Sequence, residues 1–509
     1  MKKEIGIVFN YQQLPDVHQF PFVIKKDLGR LKVQKGLFVH TETIDGFLIG
    51  TIEKILLVNE YFADPLTIKA YNNKNNINII KSLFPSDEFE YAIAIVKTLG
   101  ILEFDETDKY HLIKRIKRMT YPATPGKEVY ALDENILKQF IGIDDKDGLL
   151  LGKVKVSNID ARININRLLN KHFAILSISG GGKSYLTSII IEELLMRDGS
   201  RGTPAIIVID VHGEYTYFKD LKKFTDKVKV FDCMYFQIAV PKLNGFTFKK
   251  YQEQISSVQV RELSKHIKSL KEERDKKSGY SLRDLIEHVE YGNLNIKSTK
   301  HALLGWLTEL ERLHLFGPVE NPDLSEAIKP GHLTIFNLAR EISIRKKQII
   351  VDYICYRIFQ MRRLGEIPPF LLIIEEAHQF CSESAQSKAI SKNIIETIAR
   401  EGRKFMACLC LISQRPKRLS STALSQLNSK MILNIKNPYD LKHLMDSSEM
   451  ITKELADMIS SLGVGEMLLM GNAINYPIFI EVRKRKYEPA VEKISLTQAC
   501  LDWVSKQVD

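Results

Sequence analysis

Residues 177–184 read Ser-Ile-Ser-Gly-Gly-Gly-Lys-Ser, and three glycines ahead of a lysine and a serine are the residue types that hold a polyphosphate. Glycines let backbone N–H groups curl around phosphate oxygens with no Cβ in the way. Lys183 brings a point charge to β- and γ-phosphates, and the Ser184 hydroxyl is positioned to ligate Mg2+. Such a loop must leave a buried strand and enter a helix. Here the apolar run FAIL precedes it, and YLTSIIIEELLMR follows with helical spacing. The pattern G-x-x-x-x-G-K-[ST] is broken at one point: Ser177 stands where the first glycine is expected, and a small residue suffices there unless φ must be positive. The nucleotide-binding set expected from the loop is Ser179, Gly180, Gly181, Gly182, Lys183, Ser184 and Tyr185, with ATP and Mg2+ as ligands.

A phosphate loop calls for an acidic site at the end of another buried strand, and FLLIIEEAHQF supplies one. Glu375 takes the usual Mg2+-water position, normally aspartate, and its extra methylene favours contact through water over direct ligation. Glu376 follows, where a carboxylate orients or deprotonates the attacking water. Two further runs end at the same edge. AIIVIDVHGEY closes on Asp210, expected near the nucleotide or its water, with His212 and Glu214 in the following loop. ACLCLISQRPKRL closes on Ser413, Gln414 and Arg415, with Gln414 expected to sense the γ-phosphate. Upstream, IAREGRKF places Arg400, Arg403 and Lys404 on or near a helix, either as a solvated basic face or as an arginine finger for a neighbouring subunit's nucleotide.

The elements that must position these residues are legible as short, fully apolar runs: FAILSI, AIIVIDV, LTIFNL, FLLIIEE and ACLCLIS. Strands buried on both faces and separated by helices are expected to form a mainly parallel sheet in an α/β domain. That core is expected over 151–244 and 331–485, interrupted by a helical insert at 245–330. Within the insert, KHALLGWLTELERL has core-facing spacing, whereas KKYQEQISSVQVRELSKHIKSLKEERDKK reads as a charge-rich solvated helix. Residues 1–150 carry short apolar runs broken by Gly, Asp and Asn, expected as a small β-barrel, with HLIKRIKRMTYPATPG as a linker. Residues 486–509 form a basic tail ending in a short amphipathic helix, expected to cap the core or reach a neighbouring subunit.

Composition bounds the function. A chain of 509 residues with 44% hydrophobic and 27% charged residues is an ordinary globular protein of two or three domains, not a disordered one. The net charge of +11 favours an anionic partner, nucleic acid foremost. The six cysteines form no C-x-x-C pair and no cluster with histidine, which argues against a zinc module or a disulfide framework. No apolar run reaches membrane-spanning length and the N-terminus has no signal-peptide core, so a cytoplasmic location is expected.

Taken together, YPATPGKEVYALDENILKQF, GLLLGKV, RLLNKHFAILSISGGGKS, IDVHGEY, IIEEAH, AREGRKF, LISQRP, LNSKMILNIKNPYD and GVGEMLLMG resemble the HerA family of hexameric ATPases, relatives of the FtsK-type DNA translocases. The resemblance spans about 350 residues in consistent order. It implies a RecA-like P-loop motor domain behind an N-terminal barrel of the kind seen in ATP synthase subunits, and a homohexameric ring around double-stranded DNA. It further implies Lys183 and Ser184 on phosphate and Mg2+, Glu376 as catalytic carboxylate, Gln414 as sensor, and Arg400 or Arg403 as the finger in trans. Relatives carry an arginine where this chain has Lys171, approaching the nucleotide of its own subunit; lysine keeps the charge and loses the bidentate fork. With Ser177, that substitution raises the expectation of slower hydrolysis or weaker coupling around the ring.

Two functions follow from the resemblance. One is an ATP-driven translocase or helicase on double-stranded DNA, working with a separate nuclease, since no nuclease signature lies in this chain. The other is a nucleotide-binding hexameric scaffold that assembles and activates an effector in a bacterial antiviral defence complex. A secretion-type ATPase is disfavoured by the lack of an apolar anchor.

Overall fold

The computed structural model describes residues 4–10, 14–26, 33–59, 90–104, 113–273, 279–292, 297–383, 389–447, 451–488 and 496–505. The chain divides into two compact units, Met1–Asp144 with Lys153–Asp160, and Asp145–Gly152 with Ala161–Asp509.

The first unit holds β1 (Glu4–Val8), β2 (Gln19–Ile24), β3 (Phe38–Thr43), β4 (Gly46–Asn59), β5 (Glu90–Phe104), β6 (Ile113–Lys117) and β7 (Glu128–Ala131). Their order is β2-β1-β7-β3-β4-β5-β6, and β2 also pairs antiparallel with β5. That extra pairing closes six strands into the expected barrel and leaves β6 outside on β5. Alternate residues point inward, so Ile5, Phe20, Phe22, Val39, Leu48, Ile52, Ala94, Val96 and Val129 fill the interior. The stretch expected as a linker is part of this unit: Ile113–Lys117 is β6, and Pro122 to Gly126 is a turn with Gly126 at φ +87 that feeds β7. Its Pro/Gly content makes a barrel turn, not a domain boundary.

The second unit is organised by an eleven-stranded sheet of order β12-β15-β11-β16-β17-β10-β18-β19-β20-β8-β9. These are β8 (Leu149–Val154), β9 (Asp160–Ile163), β10 (His172–Leu176), β11 (Ala205–Asp210), β12 (Val228–Asp232), β15 (Leu333–Asn337), β16 (Phe370–Ile374), β17 (Ala407–Ser413), β18 (Leu427–Ile432), β19 (Glu466–Gly471) and β20 (Ile478–Val482); β13 (Ile238–Ala239) and β14 (Phe316–Gly317) pair separately. From β12 to β18 every neighbouring pair is parallel, while β19 runs antiparallel to both β18 and β20. The five apolar runs are thus β10, β11, β15, β16 and β17. All residues of β10, β11, β16 and β17 are buried, as a parallel sheet covered by helices requires.

Between β12 and β15 lie the helices Gly245–Tyr251, Ser257–Glu273, Leu282–Tyr291, Lys297–Glu311 and Leu324–Ala327. Leu303, Leu307 and Leu310 face the core, as their spacing requires. The helix Ser257–Glu273 differs from the solvated helix expected. It buries Val260, Leu263, Ile267 and Leu270, a 3-4-3 stripe that the surrounding Lys and Glu residues obscure in composition. Five cysteines are buried and Cys500 is exposed. Among the described residues no helix is long and apolar enough to cross a membrane. Of the tail expected from residue 486, positions 489–495 and 506–509 lie outside the described residues.

Candidate active site

β10 sits between β17 and β18, runs into the loop Ser177–Gly182 and continues as the helix Lys183–Met196, ten of whose residues are buried. Gly180 and Gly182 adopt φ +74 and +95, the left-handed region that glycine reaches without strain. Gly181 is required for a different reason: a Cβ there would lie 2.0 Å from Ser177 Oγ. Ser177 itself is fully buried and is not among the residues of positive φ. Its N–H donates to the Ser413 carbonyl at 3.3 Å, and its hydroxyl reaches the Asn434 carbonyl at 3.4 Å. The departure from the loop pattern is therefore free of backbone strain, and its hydroxyl occupies the space that Gly181 leaves open. One of the two residues behind the expectation of slow turnover loses its force.

This pairing makes a prediction. Gly181→Ala overpacks the loop against Ser177 and destabilises the protein by about 1–3 kcal/mol, with nucleotide affinity lowered in parallel. Adding Ser177→Gly to Gly181→Ala restores most of both, as read by thermal denaturation and nucleotide titration. Additive losses in the double variant would show that the two positions do not share this space.

Lys183 is buried, and its ammonium donates to the Ile178 carbonyl at 3.1 Å, arching back over the loop. Burial lowers its pKa below the ordinary lysine value, and the nearby carboxylates of Glu376, Glu214 and Glu375 oppose that shift. Ser179 and Gly180 are exposed at the crest, and Ser184 and Tyr185 are half-buried in the first helical turn.

The acidic side is set by β16. Glu375 Oε2 accepts from the backbone N–H groups of Val211 at 3.0 Å and His212 at 3.3 Å. Burial, then the charges of Asp210 and Glu214, push its pKa far above the usual carboxylate range. Asp210 is fully buried and is engaged in a different task from the one expected of it. Its oxygens accept from Gly213 N (2.7 Å), Glu214 N (3.1 Å) and Tyr215 N (2.9 Å), so it folds its own loop. A carboxylate at the end of a buried strand is legible in sequence; which backbone donors claim it is not.

Glu376 is buried with φ +46, a left-handed conformation that costs a non-glycine residue about 1–2 kcal/mol. Its Oε1 accepts from Gln414 Nε2, and its Oε2 lies 3.3 Å from His378 Nδ1. His378 Nδ1 also lies 3.3 Å from Ser413 Oγ, which accepts from Arg415 N at 3.0 Å. Burial, with the charges of Arg415, Arg418 and Lys183, pushes His378 down to about 4, so it is neutral at physiological pH and can donate to Glu376 only through a protonated Nδ1. His378 and Ser413 thus tie the end of β16 to the end of β17. Residue-by-residue reading did not single out His378 for a role; its place two residues after a strand-end glutamate was the available signal.

The site brings together Lys183, Ser184, Glu375, Glu376 and Gln414. It does not bring Lys171, Arg400 or Arg403. Lys171 precedes β10, and Arg400 ends the helix Lys392–Glu401, just before the turn Gly402–Phe405 that carries Arg403 and Lys404 into β17. A parallel strand rises about 3.3 Å per residue, so the five residues of β10 separate these cations from the phosphate loop by roughly 17 Å. Lys171 thus lies ahead of the start of β10, at the opposite end of that strand from the loop. Arg400, Arg403 and Lys404 are exposed at that opposite edge, so any nucleotide they touch belongs to another copy.

The residues present fit a nucleotide with Mg2+. The loop is a cradle at Gly180 and Gly182 that a Cβ would strain, and it leads into the first turn of a buried helix. Among the described residues no three of His, Cys, Asp and Glu form a metal cage. Mg2+ in phosphate sites does not need one, since it is held by one or two protein oxygens plus phosphates and water. Ser184 offers the hydroxyl, and Glu375, raised by two neighbouring carboxylates, is the group a nearby cation would most relieve.

Comparison with known proteins agrees with this geometry. Residues 149–358 match the family model described as Helicase HerA, central domain. The chain is 27% identical over 507 residues to the DNA double-strand break repair helicase HerA of Pyrococcus furiosus, covering 88% of each chain. It is 29% identical over 444 residues to the protein of the same name from Saccharolobus solfataricus, covering 81% of each. Among solved structures, VirB4 of Thermoanaerobacter pseudethanolicus superposes with a TM-score of 0.52 at 15% identity, covering 68% of this chain and 99% of that one. The last likeness is one of fold.

Proposed function

We propose, from the match of residues 149–358 to the HerA central domain and the 27–29% identity to HerA helicases over most of the chain, that this chain is a P-loop ATPase of the HerA family and that it assembles as a six-subunit ring that hydrolyses ATP to move along or unwind double-stranded DNA, with a separate nuclease or effector as partner. The observation that carries the reading is the division of charged groups between two sheet edges. Lys183, Glu376 and Gln414 meet at one edge, while Arg400 and Arg403 stand at the other. Arg400 and Arg403 stand at the edge opposite the phosphate loop of their own chain; a phosphoryl-transfer site that takes such a residue from the next copy makes a head-to-tail contact, and a contact of that kind closes into a ring.

In this mechanism the Gly180–Gly182 amides and Lys183 hold the phosphates, and Ser184 with Glu375 would hold Mg2+, which would neutralise charge developing on the phosphates. Glu376 aligns the attacking water and takes up its proton. Gln414 donates to Glu376, so it links the hydrolytic carboxylate to the loop that begins at Arg415. Lys417 and Arg418 lie in that loop; Lys417 Nζ lies 5.0 Å over the Tyr439 ring and its backbone N–H donates to Asp440. The net charge of +11 fits a polyanionic track.

The test is ATP turnover with and without duplex DNA, together with sedimentation in the presence of ATP. Stimulation of several-fold by duplex DNA and a species of about six subunits are expected. Equal turnover with and without DNA would sink the motor and leave the effector scaffold; a monomer at micromolar concentration would sink both.

A further inference from the structure

Both oxygens of the Glu376 carboxylate are held, and from two different segments. Gln414, directly after β17, donates through Nε2 to Oε1, and His378 Nδ1 lies 3.3 Å from Oε2. The second contact comes from the shape of the chain after β16. Glu376, at φ +46, turns the backbone out of the strand, and Gln379 N donates to the Glu376 carbonyl at 2.8 Å, closing the turn Ala377–Gln379. Ala377 and Phe380 are fully buried, so the turn is seated in the core and His378 is brought back beside Glu376.

His378 has one Nδ1 proton for two oxygens. Ser413 Oγ lies 3.3 Å from the same nitrogen. A carboxylate accepts roughly twice as strongly as a hydroxyl, and the Ser413 oxygen already accepts from Arg415 N at 3.0 Å, so the proton goes to Glu376. The ring gives it as a neutral group, because burial and the charges of Arg415, Arg418 and Lys183 push its pKa down to about 4. A neutral imidazole orients the carboxylate without forming an ion pair, which leaves the negative charge of Glu376 to act on water.

The terminal torsion of a glutamate is broad, with no staggered well to hold it. One donor at Oε1 lets the carboxylate pivot about that contact. A second donor at Oε2 fixes its plane. We propose that His378 is a positioning residue for hydrolysis, holding the Glu376 carboxylate in the plane from which it aligns the attacking water. The proposal rests on ATP hydrolysis at this site with Glu376 as its carboxylate.

The experiment measures ATP turnover, ATP binding and melting temperature on the full chain as wild type, His378→Asn and His378→Leu, each also in a Glu376→Gln background. Asparagine and leucine have nearly the same shape, and only asparagine offers an N–H donor near the place of Nδ1. His378→Leu is expected to lower kcat by about 10- to 100-fold, the scale of a small misplacement of a reacting group, with the Kd for ATP within about twofold of wild type. His378→Asn is expected to keep kcat within about fivefold of wild type. In the Glu376→Gln background the difference between the two shrinks to less than about twofold, because the carboxylate served by the donor is gone. Equal losses in His378→Asn and His378→Leu overturn the proposal, as does a difference that persists at full size beside Glu376→Gln. A loss in His378→Leu that follows ATP affinity or melting temperature also overturns it, because the residue then serves the nucleotide or the fold. Turnover that falls in Glu376→Gln but not in His378→Leu removes the positioning role alone; wild-type protein without turnover, or Glu376→Gln with wild-type turnover, removes the hydrolytic reading and the positioning role with it.

Discussion

Replacing Glu376 with glutamine lowers ATP turnover by about 10²–10⁴, equivalent to about 3–5 kcal/mol of barrier, and leaves nucleotide affinity close to wild type. The amide has the size of the carboxylate, so the buried pocket stays filled; its one oxygen accepts from Gln414 and its NH2 meets His378 Nδ1, which accepts in the other tautomer. What is lost is the capacity to accept a proton from water. The phosphate cradle is untouched, because Lys183 donates to Ile178 O and takes only part of its electrostatic support from Glu376, with Glu214 and Glu375 supplying the rest. Lys183→Ala is the complementary variant, in which affinity itself falls. Steady-state turnover and nucleotide titration on both variants separate the two roles. If Glu376→Gln retained turnover within about threefold of wild type, the proton acceptor would lie elsewhere, with Glu375 the next residue to test.

The parts of this site that sequence made legible are those whose physics is local. Three glycines before Lys183 announce a tight cradle wherever they occur, and two of them do adopt left-handed φ. Glu375 and Glu376 were placed at a sheet edge because five apolar residues with no polar face admit only a strand buried on both sides. The misreadings each turn on a contact that residue type alone does not announce. Ser177 looked like a defect because its fit depends on the missing Cβ of Gly181 and on carbonyls at Ser413 and Asn434. Asp210 looked catalytic, and three backbone donors within its own loop claim it. Lys171, assigned by resemblance, precedes the strand whose far end carries the loop. In the helix Ser257–Glu273, thirteen of seventeen positions lie outside the apolar stripe of Val260, Leu263, Ile267 and Leu270, and composition outweighed period.

The Arg400→Ala/Arg403→Ala double variant is expected to lose about 10³–10⁵ in turnover, the range over which an arginine finger acts, yet to regain activity when mixed with Glu376→Gln. Each variant is inactive for a different reason: one keeps an intact hydrolytic edge and lacks the opposite-edge cations, the other keeps the cations and lacks the proton acceptor. If the arginines act across a junction between copies, a mixed ring contains junctions where an intact Glu376 faces intact arginines. In a ring of head-to-tail contacts assembled from equal amounts, about one junction in four has that composition, so independent sites recover roughly a quarter of wild-type turnover. Recovery well below that, but above the sum of the two variants, indicates that a site fires only when its neighbours are also competent. The strand direction disfavours the alternative in which the arginines serve their own chain, because β10 and β17 place them about a strand length from the phosphate loop. Mixed rings verified by co-purification through a tag on one variant, with no turnover above the sum of the two, would remove Arg400 and Arg403 from the reaction and leave their exposure at the far edge to be explained by DNA or partner contact alone.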